Sequence, residues 1–337
     1  MRIGKRIAAA GAAIVMACGL GLSGCSAEEG DTADATGADS TVEAEEGAFP
    51  VTIEHAFGET TIEKAPKRVV AYGQTDADAL FALGVTPVWV TGWTSDGPEE
   101  WQKPHIQGEE PVWFMGDVDM EDIAAAKPDL IIAMFTSLEQ DDYDRMSEIA
   151  PTVTYAEGQA DYQQDTADTL LMVGEAVGRP KAAQQLIDEL DVKYAGIRER
   201  HPNWQGKTAV LAAPEMEHFG AFAPDYPFNR MLARMGFAYP EQIAEASDGS
   251  TFVDLSTEQA DLLDLDFVVW IAGDTPVAEI AAEPVLGNLQ VLQDNRSFAI
   301  GEKLDEAEAN AINWSTVLSQ LYVLDELEQA IVDTIGE

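Results

Sequence analysis

The sequence predicts an α/β protein of two similar lobes, each built on a mostly parallel sheet and joined to the other by one long helix. Three observations carry this. First, Val69-Val70-Ala71-Tyr72 reads as a buried strand, residues 76–83 as the helix after it, stopped by Gly84, and Val88-Trp89-Val90 as the next strand, a β-α-β unit. Second, the plan returns later, where Thr208-Ala209-Val210-Leu211-Ala212 precedes a helix over 229–235 stopped by Gly236. Third, residues 180–200 carry apolar side chains at Ala183, Leu186, Ile187, Leu190, Tyr194 and Ile197, close to the helical period of about 3.6 residues. At about 1.5 Å per residue this helix spans roughly 30 Å, enough to run from lobe to lobe and to leave them little relative freedom.

The chain opens on Arg2, Lys5 and Arg6, continues with an uncharged run of small and apolar residues over 7–21, and reaches Leu22-Ser23-Gly24-Cys25. That pattern is a secretory signal. Its core falls short of the roughly 20 apolar residues of a membrane span. The four residues ending in Cys25 resemble the lipobox of bacterial lipoproteins, in which the cysteine is acylated and becomes the mature N-terminus; the alternative is an ordinary secreted chain in which Cys25 is incidental. Cys18 lies inside the signal, so Cys25 is the sole mature cysteine, and lipidation explains it better than redox chemistry. Two acyl chains would hold the protein stably, where one holds only marginally.

Residues 26–47 are dominated by Ala, Glu, Asp, Gly, Thr and Ser and contain no aromatic residue, which reads as a flexible tether. Globular patterning starts at Phe49-Pro50-Val51, where Thr52-Ile53-Glu54-His55 and Thr60-Thr61-Ile62-Glu63 alternate like a hairpin. Residues 165–177 and 180–200 read as helices separated near Gly178. The expected organisation is a signal over 1–24, a tether over 25–48, an N-terminal lobe over 49–178, a connecting helix over 179–201 and a C-terminal lobe over 202–337.

The two lobes match in finer detail. Glu121 stands eight residues before the strand opening at Asp129, and Glu258 eight before the one opening at Asp266. With Asp119 and Ser256 as N-caps, both glutamates fall at the second position of a short helix, and Ser256 with Gln259 forms a capping box. A carboxylate there is also favoured by the helix dipole, by about 0.3 to 1 kcal/mol, whatever its role.

The 337 residues hold 19 basic and 61 acidic side chains; loss of the three basic residues of the signal leaves 16 against 61, a net charge of −45. Nucleic acid and anionic membrane surfaces are poor partners for such a chain. A strongly anionic ligand would need a basic pocket, and few basic residues exist to build one. There is no Gly-x-Ser-x-Gly elbow, His-Glu-x-x-His, phosphate loop or dinucleotide fingerprint, so an enzyme is not expected, although abundant carboxylates leave a secreted hydrolase with a glycosidase-like pair as the alternative of another class. A direct metal-ion binder would have to use Glu215, Glu217 and His218, since the other histidines are scattered.

Lys64-Ala65-Pro66-Lys67-Arg68-Val69-Val70, Ala82-Leu83-Gly84-Val85-Thr86-Pro87-Val88, Glu121 with Lys127-Pro128-Asp129-Leu130-Ile131, Ile149-Ala150-Pro151-Thr152-Val153 and Ser315-Thr316-Val317-Leu318-Ser319 together resemble, in order and spacing, the helical-backbone class of ABC-transporter substrate-binding lipoproteins, which capture ferric siderophores, haem and cobalamin. The resemblance covers residue 50 to the end. It implies two Rossmann-like lobes, a ligand in the cleft between them, no cofactor, a monomer lipid-anchored at the outer face of the membrane, and Glu121 and Glu258 docking onto arginines of a permease dimer that works with a cytoplasmic ATPase. Loops after the strand C-termini should line the cleft. Ligand-binding candidates there are Gln74, Trp93, Trp101, Phe135, Phe222, Tyr226, Arg230, Trp270 and Trp314, because rigid rings bury a bulky chelate well; Arg230 is as readily explained by pairing with an acid. Trp89 and Trp113 are assigned to the core or an edge. The scarcity of basic residues favours a neutral or cationic ferric hydroxamate over a tris-catecholate, and the segment around 315–325 is similar to that of actinobacterial hydroxamate-siderophore binders. Haem and cobalamin stay open, with Tyr226 and His218 as the residues to test for haem.

Overall fold

A computed structural model describes residues 39–40, 42–92, 97–116, 118–159, 164–214, 219–247, 249–273 and 275–337. A hairpin of β1 (Val51–His55) and β2 (Gly58–Ile62) comes first, paired from Val51 opposite Ile62 to His55 opposite Gly58. There follow β3 (Val69–Ala71), α1 (Asp76–Ala82), β4 (Trp89–Thr91), β5 (Val112–Phe114), α2 (Met120–Ala125), β6 (Leu130–Ala133), α3 (Gln140–Ile149) and β7 (Thr152–Thr154). Then come the consecutive helices α4 (Thr166–Ala176) and α5 (Pro180–Arg200). The second half contains β8 (Ala209–Ala213), β9 (Phe219–Phe222), α6 (Pro227–Met235), α7 (Glu241–Ala246), β10 (Phe252–Leu255), a 3-10 turn over Thr257–Leu263 and β11 (Phe267–Trp270). It closes with α8 (Val277–Ile280), α9 (Gln290–Gln293), β12 (Ser297–Ala299), α10 (Ile300–Lys303), α11 (Glu306–Trp314) and α12 (Val317–Ile335).

The two large sheets are laid out alike. One runs β5-β4-β3-β6-β7 and is parallel throughout. The other runs β10-β9-β8-β11-β12, the same order of third, second, first, fourth and fifth strand of the lobe, with β9 alone reversed against its neighbours. The doubling read from the sequence is therefore a doubling of strand order, the order that places ligands outside the strand C-termini.

Alternation along each strand divides the core. Val69 and Ala71 of β3, Ala209 and Leu211 of β8, and Phe267 and Val269 of β11 belong to one continuous apolar cluster that also takes in α4, α5, α6 and α12. The residues between them face outward: Val70 joins an outer cluster of the first lobe, and Val210, Val268 and Trp270 an outer cluster of the second. One core thus runs through both lobes. The helix α4 sits so close to α5 that a Cβ on Gly174 would lie 2.7 Å from that of Ala183.

Two expectations are corrected by the packing. Residues 42–48 do not hang free as tether: Val42 and Phe49 pack against the central core. The Glu45 amide donates to the Gly178 carbonyl at 2.8 Å, and the Glu45 carboxylate accepts the Lys181 and Ala182 amides at 3.2 and 3.0 Å. It thereby caps the start of α5, whose own N-cap Arg179 has no side chain able to accept. The last helix is not confined to the second lobe either, because α12 packs on α1, α4 and α5. Its apolar positions Val323, Leu324, Leu327, Ala330 and Ile331 lie in the shared core. The lobes are therefore tied by two long helices, not one.

Candidate functional site

Between the lobes lies a narrow cavity of about 70 Å³, below the 300 to 1,000 Å³ usual for a ligand pocket. Four pieces of chain wall it. The first lobe supplies Thr75 and Ala79 at α1 and Phe135 beyond β6; α4 supplies Thr166, Thr169 and Leu170 with its cap Asp165; α6 supplies Pro227, Arg230, Met231 and Arg234; the turn from α11 to α12 supplies Trp314, Ser315 and Thr316.

Each wall has a local cause. Asp165 caps α4 by accepting the Ala167 and Asp168 amides at 2.8 and 3.2 Å. Asn229, buried in the first turn of α6, accepts the Leu211 amide at 2.8 Å and donates to the Phe222 and Ala223 carbonyls at 2.8 and 2.9 Å, which fixes α6 to β8 and to the end of β9. The α11–α12 turn is set by Ser315, which takes the left-handed φ of 48°, a conformation that strains a non-glycine residue by about 1 kcal/mol or more. Thr316 then caps α12 by accepting the Ser319 amide at 3.0 Å, and its own amide donates to Ser319 Oγ at 3.0 Å.

Two buried aspartates, two residues apart in α1, hold the loops behind these walls. Asp76 accepts the amides of Gly73 at 2.8 Å, Met134 at 2.9 Å and Phe135 at 3.0 Å, joining the loops after β3 and β6. Asp78 accepts Trp101 Nε1 at 2.9 Å, Gln102 Nε2 at 2.6 Å and Thr316 Oγ1 at 2.5 Å. Burial pushes both carboxyls up to about 6, against the pull of their hydrogen bonds.

The cavity carries two guanidinium groups, four residues apart on α6, and each meets an aspartate. Arg230 Nη1 stands 3.8 Å from Asp165 Oδ2, while Arg234 Nη2 is 2.5 Å from Asp191 Oδ1 and lies 4.0 Å above the Tyr194 ring. The Tyr194 hydroxyl donates to Gln320 Oε1 at 2.6 Å, and burial raises its pKa against the pull of the Arg234 charge. The wall is largely apolar, and its charges are close to balanced.

Of the sequence candidates, Phe135, Arg230 and Trp314 line this cavity. Gln74 is half-buried, and its amide donates to the Phe135 carbonyl at 3.0 Å. Phe222 and Tyr226 pack on one another with centroids 4.3 Å apart and planes tilted by 38°; Phe222 borders a second hollow with Ala213, Pro214, Ile271 and Ala272 at the ends of β8 and β11. Burial raises the Tyr226 pKa, which keeps it a neutral phenol.

Two candidates are corrected. Trp101 is 2% exposed and spends its indole N–H on Asp78, so it backs Trp314 rather than facing a ligand. Trp270 is fully buried, because alternation along the central strand β11 turns it into the outer core of the second lobe. Trp93 lies outside the described residues, as do Cys25, Glu215, Glu217 and His218. Trp89 is core and Trp113 packs against core.

Arg234, Asp76 and Asp78 were not among the candidates. The spacing of Arg230 and Arg234 places both on one helical face and would have found the first; two acids in a first turn look like dipole partners, which hides the others. Glu121 and Glu258 are both exposed, each at the second position of its turn after Asp119 and Ser256. Of the capping box, the Ser256 amide donates to Gln259 Oε1 at 3.2 Å, and the turn it opens is 3-10 rather than α. Among the described residues no cluster of three or more His, Cys, Asp or Glu is arranged to hold a metal ion, and no helix is long and apolar enough to cross a membrane.

Known proteins resemble the chain over most of its length. The ferric-anguibactin-binding protein FatB of Vibrio anguillarum is 27% identical over 297 residues, 82% of this chain and 86% of that one. The Fe(3+)-citrate-binding protein YfmC of Bacillus subtilis is 24% identical over 290 residues, 85% of this chain and 86% of its own. The crystal structure of a periplasmic solute binding protein from Mycobacterium smegmatis superposes with a TM-score of 0.74 at 29% identity, covering 85% of this chain and 99% of that one. The model of the periplasmic binding protein family matches residues 69–304, the stretch that holds both sheets and most of the cavity wall, and the chain belongs to that family.

Proposed function

We propose that the protein is the solute-binding component of an ABC importer, holding a ferric siderophore in the interlobe cavity and handing it to a permease. The observation that carries this reading is a charge-balanced cavity walled by both lobes, in a chain whose relatives FatB and YfmC are named for binding ferric chelates. The pairing of Arg230 with Asp165 and of Arg234 with Asp191 leaves little net positive charge for a multiply anionic chelate. It supports a ferric hydroxamate, whose ring of oxygen atoms needs hydrogen-bond donors and apolar contact more than countercharge. Phe135 and Trp314 supply the apolar contact, while the guanidinium edges supply donors.

A cavity that retains its ligand unchanged needs a rigid frame, and the two tying helices with a shared core supply one. Release then belongs to the transporter. Glu121 and Glu258, exposed at equivalent places of the two lobes, are the residues that would engage the permease, and Cys25 the residue that would fasten the mature chain to the outer face of the membrane. The test is the double variant Glu121→Ala with Glu258→Ala, measured for chelate affinity and for uptake by cells. Uptake is expected to fall to background with affinity within about twofold of wild type. Lost affinity would assign the glutamates to the fold or the cleft, and release of a chemically altered ligand from the wild-type protein would replace transport by catalysis.

A further inference from the structure

Asp78 is fully buried and does not reach the cavity, yet every hydrogen bond it accepts leads toward one wall. Trp101 and Gln102 belong to the segment after β4 in the first lobe. Thr316 belongs to the α11–α12 turn, 238 positions away along the chain. Thr316 and Trp314 line the cavity, whereas Trp101 and Gln102 do not. Trp101 packs edge-on against Trp314 with ring centroids 5.5 Å apart and an interplanar angle of 76°. Gln102 is itself held, accepting the Glu99 amide at 2.9 Å while donating to Asp78 at 2.6 Å. The carboxylate thus gathers three side-chain donors from two distant segments and ties α1 to the turn that carries the strained Ser315.

A buried carboxylate is an expensive way to join two segments that apolar packing would also join, since desolvation opposes it unless every bond is made. What it supplies is direction: three donors converge on two oxygens and leave the turn one seat against α1. We propose that Asp78 is the positioning residue of the cleft, setting the Trp314–Thr316 wall against the α1 wall, so that ligand affinity depends on a carboxylate no ligand touches. The proposal rests on the cavity being the ligand site.

Trp101→Phe keeps an aromatic ring against Trp314 and removes one donor, and Gln102→Leu removes another; neither residue touches the cavity. Thr316→Val removes the third donor and Thr316→Ser keeps it. In the mature chain, affinity is measured by titration calorimetry with ferrioxamine B iron complex and with ferric citrate as probes, and order in the turn by amide hydrogen exchange of the ligand-free protein at Ser319 and Gln320. Trp101→Phe, Gln102→Leu and Thr316→Val are each expected to weaken binding of whichever probe wild type takes by about tenfold, the equivalent of one net hydrogen bond of about 1.4 kcal/mol, and to speed exchange at those amides by a similar factor. Thr316→Ser should restore both. Variants that lower the melting temperature while leaving affinity and exchange within twofold of wild type would make Asp78 a structural residue only and overturn the proposal. If wild type binds neither probe, the ligand reading fails by itself, and unchanged exchange in Trp101→Phe and Gln102→Leu, which leave the Thr316 acceptor of the Ser319 amide in place, would still overturn the positioning role.

Discussion

Gly73→Ala tests the loop architecture at its tightest point. Gly73 is buried between β3 and α1, and a Cβ built there would lie 2.5 and 2.6 Å from the two carboxylate oxygens of Asp76 and 2.7 Å from its Cγ. No real Cβ tolerates those distances, and Asp76 cannot retreat while it accepts the Met134 and Phe135 amides. The loop must shift and surrender the Gly73 amide bond to Asp76. Overpacking costs about 1 to 3 kcal/mol, and a buried hydrogen bond to a charged acceptor roughly 1.5 to 3 kcal/mol. The sum is about 2.5 to 6 kcal/mol. Urea unfolding followed by tryptophan fluorescence should show it as a midpoint lowered by on the order of 1 to 2 M, for a slope of about 3 kcal/mol per molar. Gly97→Ala, whose Cβ would meet nothing within 4 Å, is the control and should stay within about 0.5 kcal/mol of wild type. Because the displaced loops carry Gln74 and Phe135, ligand affinity should fall in the same variant. A Gly73→Ala protein within about 1 kcal/mol of wild type would refute the claim that Asp76 joins the two loops rigidly.

Glu45→Ala removes the acceptor for the Lys181 and Ala182 amides and should cost about 1 kcal/mol, as loss of a helix cap does, read as a melting temperature lower by about 2 to 4 °C; an unchanged melting temperature would mean that residues 42–49 contribute no stability. Asp76 and Asp78 both stand near 6 in the folded chain against an ordinary 3.8. Between about pH 4 and 6 the folded chain therefore holds protons that the unfolded chain releases, and the stability these groups contribute falls as pH rises through that window and levels off above it. The separation corresponds to at most roughly 3 kcal/mol per group. Urea midpoints at pH 5 and pH 7.5 should show the fall in wild type and a shallower one in Asp78→Asn, where only Asp76 titrates; equal slopes would place the titration elsewhere. Cys25→Ser should release the protein from the membrane with ligand affinity unchanged, checked by fractionation and titration.

Local pattern carried a large part of the fold. The hairpin from Val51, the connecting helix from Pro180 and the matched positions of Glu121 and Glu258 all follow from periodicity, capping and spacing, which neighbours in sequence decide. The return of α12 to the first lobe depends on partners more than a hundred residues away, and the reversal of β9 on its pairing with β8 and β10 on either side; no local pattern announces either. The site was read less well for the same reason. Phe135 sits where a loop after a strand was expected to place it, while Arg230 and Trp314 reach the same cavity from the helices α6 and α11. Trp101 looks identical in sequence to a ligand-stacking ring, and only the carboxylate of Asp78, 23 residues earlier, draws it inward. Trp270 was misread because the face a strand residue takes depends on the register of β8 and β12 on either side of it. Val42 and Glu45 were hidden in a polar run whose composition argued for a free tether, yet two side chains with the right partners suffice to dock it.

The most direct measurement is a tryptophan-fluorescence titration of the mature chain against a ferric hydroxamate, a ferric catecholate, haem and cobalamin. Trp314, in the cavity wall and in edge contact with Trp101, makes the signal local. Saturable quenching by the ferric hydroxamate, diminished in amplitude in Trp314→Phe and absent with haem and cobalamin, is the expected result. Saturable binding of haem or cobalamin with no response to any ferric chelate would contradict it.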